Sequence, residues 1–111
     1  MPEETHYLKQ NDVGGVIERT LRDGFGVPAN LTGATVVFSM RVKPAGTVKI
    51  SAAGATLVTA VDGLVRYTFT AGNTDTADEY EAEFQATYSN GDVQSYPEDG
   101  YIPVVITDDI A

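Results

Sequence analysis

The sequence predicts an all-β protein, an antiparallel β-sandwich of about seven to nine short strands. The clearest observation is the segment 79–88 (EYEAEFQATY), in which apolar and polar residues alternate throughout. A period of two is typical of a strand with one buried and one solvated face. Turn-forming groups of Gly, Asn, Asp and Pro recur about every eight to twelve residues. No segment has a convincing helical period.

Size and charge narrow the classes of protein and partner. The 111 residues suit one domain, with 1–6 as a flexible N-terminal arm and 7–111 as the sandwich. The absence of cysteine excludes disulfides, thiolate catalysis and zinc–thiolate sites. A net charge of −9 disfavours nucleic acid and anionic membrane surfaces as partners. The polar, acidic opening MPEETHYLKQ is unlike a secretory signal, so synthesis in the cytoplasm is expected.

Two strands are predicted before the first long turn. A short strand begins at Tyr7, and residues 16–22 form a second strand whose inner face includes Ile17 and Leu21. Residues 23–28 (DGFGVP) then reverse the chain, because glycine supplies positive φ and proline presets its own φ near −65°.

The next strand, residues 35–43, is predicted to lie beside strand 79–88. Its apolar face runs from Val36 to Val42. Side by side, the two strands would set cations against carboxylates, and such cross-strand pairs contribute roughly 0.2 to 1 kcal/mol each. The charged residues concerned are Arg41, Lys43, Glu79, Glu81 and Glu83.

Two short, weakly patterned strands are predicted in the middle of the chain, at 47–51 and 55–60, with residues 52–54 as the break between them. Asp62-Gly63 is a hairpin signal, so the second of these strands should pair antiparallel with 64–70. The inward residues of that hairpin are Val65, Tyr67 and Phe69.

The C-terminal part predicts two more strands. Asn90-Gly91-Asp92 forms a hairpin after Tyr88 and returns the chain through residues 93–96. Residues 101–107 close the domain. Because Pro103 has no N–H for a sheet ladder, this strand is expected at an edge, or Pro103 at its first pairing position.

Tyrosine and phenylalanine supply both the predicted core and a candidate contact surface. The predicted core residues are Phe38, Tyr67, Tyr80 and Phe84. Tyr80 is compared with the tyrosine corner, in which a buried hydroxyl bonds nearby backbone. The loop between Tyr96 and Tyr101 is expected to be exposed and to mediate contacts. The residues of this predicted interaction loop are Tyr96, Glu98, Asp99, Tyr101 and Pro103.

No catalytic residue, metal ligand or cofactor site is predicted. Glu81 and Glu83 would lie about 7 Å apart along one strand face and could serve glycoside chemistry, but a solvated carboxylate row is favoured. Residues 73–79 are oxygen-rich, yet they lack the EF-hand glycine and terminal glutamate, so a turn is favoured over a calcium loop. His6, the sole histidine, is expected to be solvent-exposed in the arm.

A series of short motifs extends from about residue 7 to residue 107. They are YLKQND (7–12), LRD (21–23), GVP (26–28), LTGATVVFSMR (31–41), GLVRY (63–67), YEAEF (80–84), NGD (90–92) and Pro97. Together they resemble the immunoglobulin-like N-terminal domain of phage baseplate upper proteins. The resemblance implies an immunoglobulin-like sandwich over nearly the whole chain.

The resemblance also implies a non-enzymatic role as a protein-binding, structural module of a tailed-phage virion, in its tail, baseplate or neck. Such a protein would be made in the host cytoplasm and incorporated into the virion, without a cofactor. Its expected partners are other virion proteins or further copies of itself in a symmetric oligomer. A bacterial or phage surface module for carbohydrate binding and adhesion is the alternative, since fold does not dictate function. That alternative needs an exposed aromatic platform, and tryptophan is absent.

Overall fold

The computed structural model describes residues 4–97, 100–108 and 110. These residues include nine strands and one short 3₁₀ turn. The strands are β1 (His6–Lys9), β2 (Val16–Thr20), β3 (Thr35–Val42), β4 (Val48–Gly54), β5 (Thr56–Thr59), β6 (Leu64–Thr68), β7 (Asp78–Thr87), β8 (Val93–Tyr96) and β9 (Ile102–Thr107). The 3₁₀ turn, Ala60–Asp62, connects β5 to β6. The all-β prediction is confirmed. None of the described residues belongs to a helix long and apolar enough to cross a membrane.

Two sheets enclose one hydrophobic core. The larger sheet has the order β1-β9-β7-β3-β4, with β8 also paired to β7, and the smaller sheet has the order β2-β6-β5. Among the described strands, every pair is antiparallel except β1 with β9. This arrangement confirms the predicted β-sandwich, because each sheet buries one face against the other.

The long strand β7 organises the larger sheet. On one side it pairs with β3 along most of its length, which confirms the predicted adjacency of these strands. On its other side β9 pairs with residues 78–82 and β8 with residues 84–87. β8 ends at Tyr96 and β9 begins at Ile102, and neither strand pairs with Glu83, so Glu83 faces a gap on that side.

Aromatic rings join the two sheets at the centre of the core. Phe38 of β3 stacks on Tyr67 of β6 with ring centroids 4.6 Å apart, and meets Phe69 edge-on at 5.8 Å. Within the larger sheet, Phe38 lies 5.1 Å from Phe84. All four predicted core residues, including Tyr80, are buried. The faces assigned from the alternating pattern are therefore confirmed.

Tyr80 forms the predicted tyrosine corner. Its hydroxyl donates a hydrogen bond of 2.7 Å to the carbonyl oxygen of Thr76, four residues upstream. Burial raises the pKa of the Tyr80 hydroxyl, so the phenol stays protonated and remains a donor at neutral pH.

The middle of the chain departs from the predicted strand boundaries. β4 continues through residues 52–54, where a break was expected, and the chain passes to the smaller sheet at Ala55. A bulge permits this continuation: Ala52 has a φ of +49°, and the register shifts opposite Met40. The N–H of Ala52 donates to Ser39 Oγ at 2.9 Å. The hydroxyl thus replaces a ladder acceptor, which the apolar pattern does not indicate.

The hairpin between β5 and β6 forms where Asp62-Gly63 predicts it, but through a longer connection that includes the 3₁₀ turn. Gly63 follows this turn with a φ of +74°. A Cβ at Gly63 would stand 2.7 Å from the carbonyl oxygen of Ala29 and 2.8 Å from that of Leu21. Both the backbone conformation and the close approach therefore require glycine.

Two expectations for the predicted interaction loop are wrong. Tyr96 is 3% exposed, because it lies opposite Phe84 on the inward face, and its hydroxyl bonds that of Tyr88 at 2.7 Å. Of the two alternatives predicted for Pro103, the edge strand is wrong, since β9 lies between β1 and β7. Pro103 is tolerated there because pairing with β1 begins one residue later, at Val104.

His6 also departs from expectation. It belongs to β1 rather than to a solvated arm, and its ring lies parallel to that of Phe69 at 6.1 Å. Its Nε2 is buried without a hydrogen-bond partner among the described residues. The pairing of β1 with β9, which is remote in sequence, draws this residue into the sandwich.

Candidate functional site

The outer face of the larger sheet carries a concave pocket of about 200 Å³. Two irregularities flank it: the gap in strand pairing beside Glu83, and the bulge in β4 opposite Met40. A regular sheet is too flat to enclose a ligand, so these interruptions create the concavity. The pocket is lined by Ser39, Met40, Arg41, Val48, Ser51, Glu81, Glu83 and Tyr101.

Arg41 and Glu81 form an ion pair in this pocket. They lie directly opposite each other on β3 and β7, and Arg41 Nε donates to Glu81 Oε1 at 2.6 Å. The same oxygen accepts the backbone N–H of Ala45 at 2.8 Å. The predicted cross-strand pair is thus confirmed for Arg41. Lys43 instead donates its backbone N–H to the carbonyl oxygen of Glu79 at 3.0 Å.

These contacts keep both partners charged. The Ala45 N–H, together with Arg41, lowers the pKa of Glu81 although the side chain is only 12% exposed. The hydrogen bond to Glu81 raises the pKa of Arg41. At neutral pH the two charges therefore largely cancel within the pocket.

Tyr101 connects the returning chain to β3. Arg41 Nη2 donates to the Tyr101 hydroxyl oxygen at 2.9 Å, and the guanidinium carbon lies 4.8 Å from the ring centroid. Tyr101 as a whole residue remains 42% exposed. Because Tyr101 immediately precedes β9 while Arg41 belongs to β3, this contact bridges across β7 and bounds one side of the pocket.

Glu83 is a charged group without a counterion among the described residues. It is half-buried, it pairs with Ser39 on β3, and no described side chain forms an ion pair or hydrogen bond with its carboxylate. The Ser39 hydroxyl accepts the Ala52 N–H and still has a proton to donate, and Ser51 adds a second hydroxyl. The pocket therefore contains an available carboxylate beside two hydroxyl groups.

The predicted interaction loop contributes only in part to this pocket. Tyr101 lines it, and Pro103 lies beside it in the register of β7 and β9. Tyr96 faces the core instead. Glu98 and Asp99 lie outside the described residues.

Sequence reasoning did not group Ser39, Ser51 and Arg41 with the two glutamates as a site. The alternating pattern places Arg41 and the glutamates on one shared face and predicts stabilising cross-strand charge pairs there. The concavity itself had no sequence signal, because it depends on where two remote strands stop pairing with β7.

The oxygen-rich segment 73–79 is a turn whose oxygens bond within the protein. Asn73 Oδ1 accepts from the Tyr67 hydroxyl at 2.7 Å and from the Thr70 N–H at 2.8 Å, while Asp75 pairs with Lys49. Across the described part of the chain, no group of three or more His, Cys, Asp or Glu residues is placed to hold a metal ion. These bonds favour the structural turn over a calcium loop.

Comparison with known proteins shows a similar fold and identifies no family. No family model matches the chain, and neither does any curated protein. Among solved structures, CopC from Methylosinus trichosporium OB3b is similar, with a TM-score of 0.51 over 96% of this chain and 87% of that one. The two share 8% sequence identity, so the likeness shows the fold alone.

The predicted role as a structural part of a tailed-phage virion is wrong on this comparison. One similar solved structure is CopC from Methylosinus trichosporium OB3b, which is not a phage protein, and no family model or curated protein matches to support a virion role. The motifs behind that prediction are turn residues and core positions. A sandwich with the same strand spacing needs them whatever it does, so they indicate a fold and not a role.

Proposed function

We propose that this protein is a non-enzymatic binding module and that the pocket containing Arg41, Glu83 and Tyr101 is its ligand site. The observation that carries the proposal is the half-buried Glu83 carboxylate, which has no counterion among the described residues. Charged groups withdrawn from water are normally paired, so this carboxylate is suited to a partner that arrives from outside.

The contact between Arg41 and Tyr101 supports the same proposal. Two interactions already hold these side chains together, so they lose little freedom when a ligand enters. A preformed wall reduces the entropic cost of binding.

The chemistry of the pocket favours binding over catalysis. Glycoside hydrolysis by paired carboxyl groups needs one carboxyl with a raised pKa to protonate the leaving group. The pKa of Glu81 is lowered instead, and the pocket lining contains no histidine or cysteine to act as a base or nucleophile.

The dimensions of the pocket limit what it can take. Pockets that bind drug-sized ligands have volumes of roughly 300 to 1,000 Å³, whereas the volume of this pocket is about 200 Å³. A small molecule or one side chain of a larger partner suits that volume. A sugar stacked on Tyr101 is disfavoured, because the Arg41 guanidinium already lies 4.8 Å from the ring centroid.

The test is a fragment screen against the full chain by two-dimensional ¹H–¹⁵N NMR. The screen contains amines, carboxylates, polyols and neutral amides. We expect at least one class to produce saturable shifts at the amides of Ser39, Arg41 and Glu83. Tyr101→Ala should weaken those shifts, whereas Tyr7→Ala, the same change at an exposed tyrosine of β1, should leave them unchanged. Absence of saturable shifts for all four classes would exclude the pocket as a ligand site.

A further inference from the structure

The groups that line the pocket indicate the chemistry of its ligand. Resting on the function proposed above, we infer that the pocket binds a protonated primary amine, an alkylammonium group, with Glu83 as its counterion. Three features of the lining support this assignment: its charge, its hydrogen-bond acceptors and its apolar side.

Charge favours a cation. Arg41 is neutralised by Glu81 across the strand pair, which leaves the Glu83 carboxylate as the excess charge of the lining. An anionic ligand would meet two carboxylates, while a cation would complete the pairing. The net charge of −9 also raises the local concentration of small cations around the protein.

The acceptors suit an ammonium group, which has three N–H donors and no acceptor. The hydrogen bonds of Glu81 go to Oε1, so Oε2 accepts none from the described residues. Glu83 lies two residues along the same face, at a Cα spacing of about 7 Å, and Ser39 is its direct cross-strand neighbour. Two carboxylates and a hydroxyl oxygen can therefore surround one ammonium nitrogen.

The remaining lining suits an alkyl stem. Val48 supplies the apolar side chain of the lining: it is 58% exposed and lies opposite Arg41 on β4. A bare metal ion would leave the exposed Val48 side chain unused, and a calcium ion would need about six to eight oxygen ligands, more than these two carboxylates and two hydroxyls offer. An amine on a short hydrocarbon chain uses both parts of the lining.

The same chemistry could come from a free amine or from a lysine side chain of another protein. The experiment therefore uses n-butylammonium and Nα-acetyl-lysine amide, each with a neutral counterpart, n-butanol and Nα,Nε-diacetyl-lysine amide. Shifts at the amides of Ser39, Arg41 and Glu83 are followed by NMR at constant ionic strength. We expect saturable shifts with the ammonium probes and none with the neutral ones.

Two variants test whether Glu83 is the counterion. Glu83→Gln should weaken binding about tenfold or more, since a charge-assisted hydrogen bond is lost. Glu79→Gln removes the same charge from the same strand face outside the pocket lining. It should change affinity by no more than about twofold, because exposed charges are screened over such distances.

The outcomes separate the ligand assignment from the proposed function. Equal binding of both ammonium probes supports a general amine site, and binding of the lysine derivative alone supports a protein side chain as the source. Equal binding of the neutral probes, or equal losses in the two glutamine variants, would overturn the assignment. If the ammonium probes do not bind while another fragment class binds the pocket, the assignment of an amine ligand is wrong and the proposed binding function is retained. If no fragment class binds the pocket, both the amine assignment and the proposed binding function are wrong.

Discussion

Tyr80 and His6 both lie within the sandwich, but their polar atoms differ in hydrogen bonding. The Tyr80 hydroxyl has a backbone acceptor at 2.7 Å. The Nε2 of His6 is buried without a partner among the described residues. A satisfied buried donor stabilises the fold, whereas an unsatisfied one costs the hydration it has lost. The two residues therefore give different predictions.

Tyr80→Phe removes the tyrosine-corner hydrogen bond and keeps the ring. We expect the free energy of unfolding to fall by about 1 kcal/mol, the usual contribution of one such bond. Urea unfolding measures the change. Tyr7→Phe is the matched control, because Tyr7 is 69% exposed and should lose less than about 0.5 kcal/mol. Equal effects in the two variants would contradict the role assigned to Tyr80.

His6 predicts a loss of stability in mild acid. Burial, and then the charge of Arg19, lowers the pKa of His6 below the unfolded value of 6.5. The unfolded chain therefore takes up a proton first as the pH falls through about 6.5, and stability falls until the pH reaches the folded pKa. In His6→Phe this loss of stability, which begins as the pH falls through about 6.5, should disappear, and thermal melts at several pH values measure the difference. An unchanged slope in the variant would contradict the prediction.

Among the secondary-structure elements, irregular pairing around β7 and β4 shapes the functional face. β8 and β9 pair with the same side of β7. Glu83 lies between the two paired stretches and has no strand partner on that side. β4 bulges on the far side of β3. Each interruption removes a ladder contact and opens space on the outer face, so the same irregularities that break the regular sheet produce the pocket.

The connection between β5 and β6 depends on Gly63. Gly63→Ala would place Cβ against two backbone oxygens, while Gly72→Ala has a similarly positive φ of +89° but nothing within 4 Å. We expect Gly72→Ala to lower the free energy of unfolding by about 1 kcal/mol, because alanine disfavours this backbone conformation. Gly63→Ala should cost roughly 2 kcal/mol more, because the backbone must also move. Denaturant unfolding gives both values, and equal costs would argue against the close approach.

The pairing of β3 with β7 predicts unequal effects of two charge reversals. Arg41→Glu would place a third carboxylate beside Glu81 and Glu83, and it should lower the melting temperature. Lys43→Glu makes the same change in net charge at an exposed residue that forms no ion pair with the described residues. It should have a clearly smaller effect. Calorimetry would contradict the importance of the Arg41 pair if the two melting temperatures agreed.

Across the whole molecule, one aromatic cluster holds the two sheets together. Phe38 contacts Tyr67 and Phe69 on the side of the smaller sheet and Phe84 within its own. The chain has no disulfide to support this contact, since it has no cysteine. The association of the sheets therefore depends on packing.

Phe38→Ala tests this dependence. The side chain is 0% exposed, so its loss should reduce the free energy of unfolding by about 3 to 5 kcal/mol through lost burial and a residual cavity. Phe25→Ala makes the identical change at a residue that is 95% exposed and should cost less than about 0.5 kcal/mol. Urea unfolding of the two variants gives the comparison, and a loss below about 1 kcal/mol for Phe38→Ala would refute the central position of this ring.

The sequence alone determined the local features of this protein. Period-two alternation in 79–88 identified the central strand and its inward face, and Asp62-Gly63 identified a hairpin. The cation at Arg41 and the carboxylate at Glu81 indicated their pairing. These features follow from short-range geometry, because successive side chains of a strand point to opposite faces and turns need particular residues.

Tertiary structure decided the rest. It placed β9 between β1 and β7, turned Tyr96 into the core, drew His6 out of solvent and left Glu83 opposite a gap. Each of these depends on pairing between segments that are remote in the chain, and an alternating pattern specifies a strand's faces without naming its neighbours. The pocket is a product of those neighbours, so it appears only when the whole sandwich is assembled.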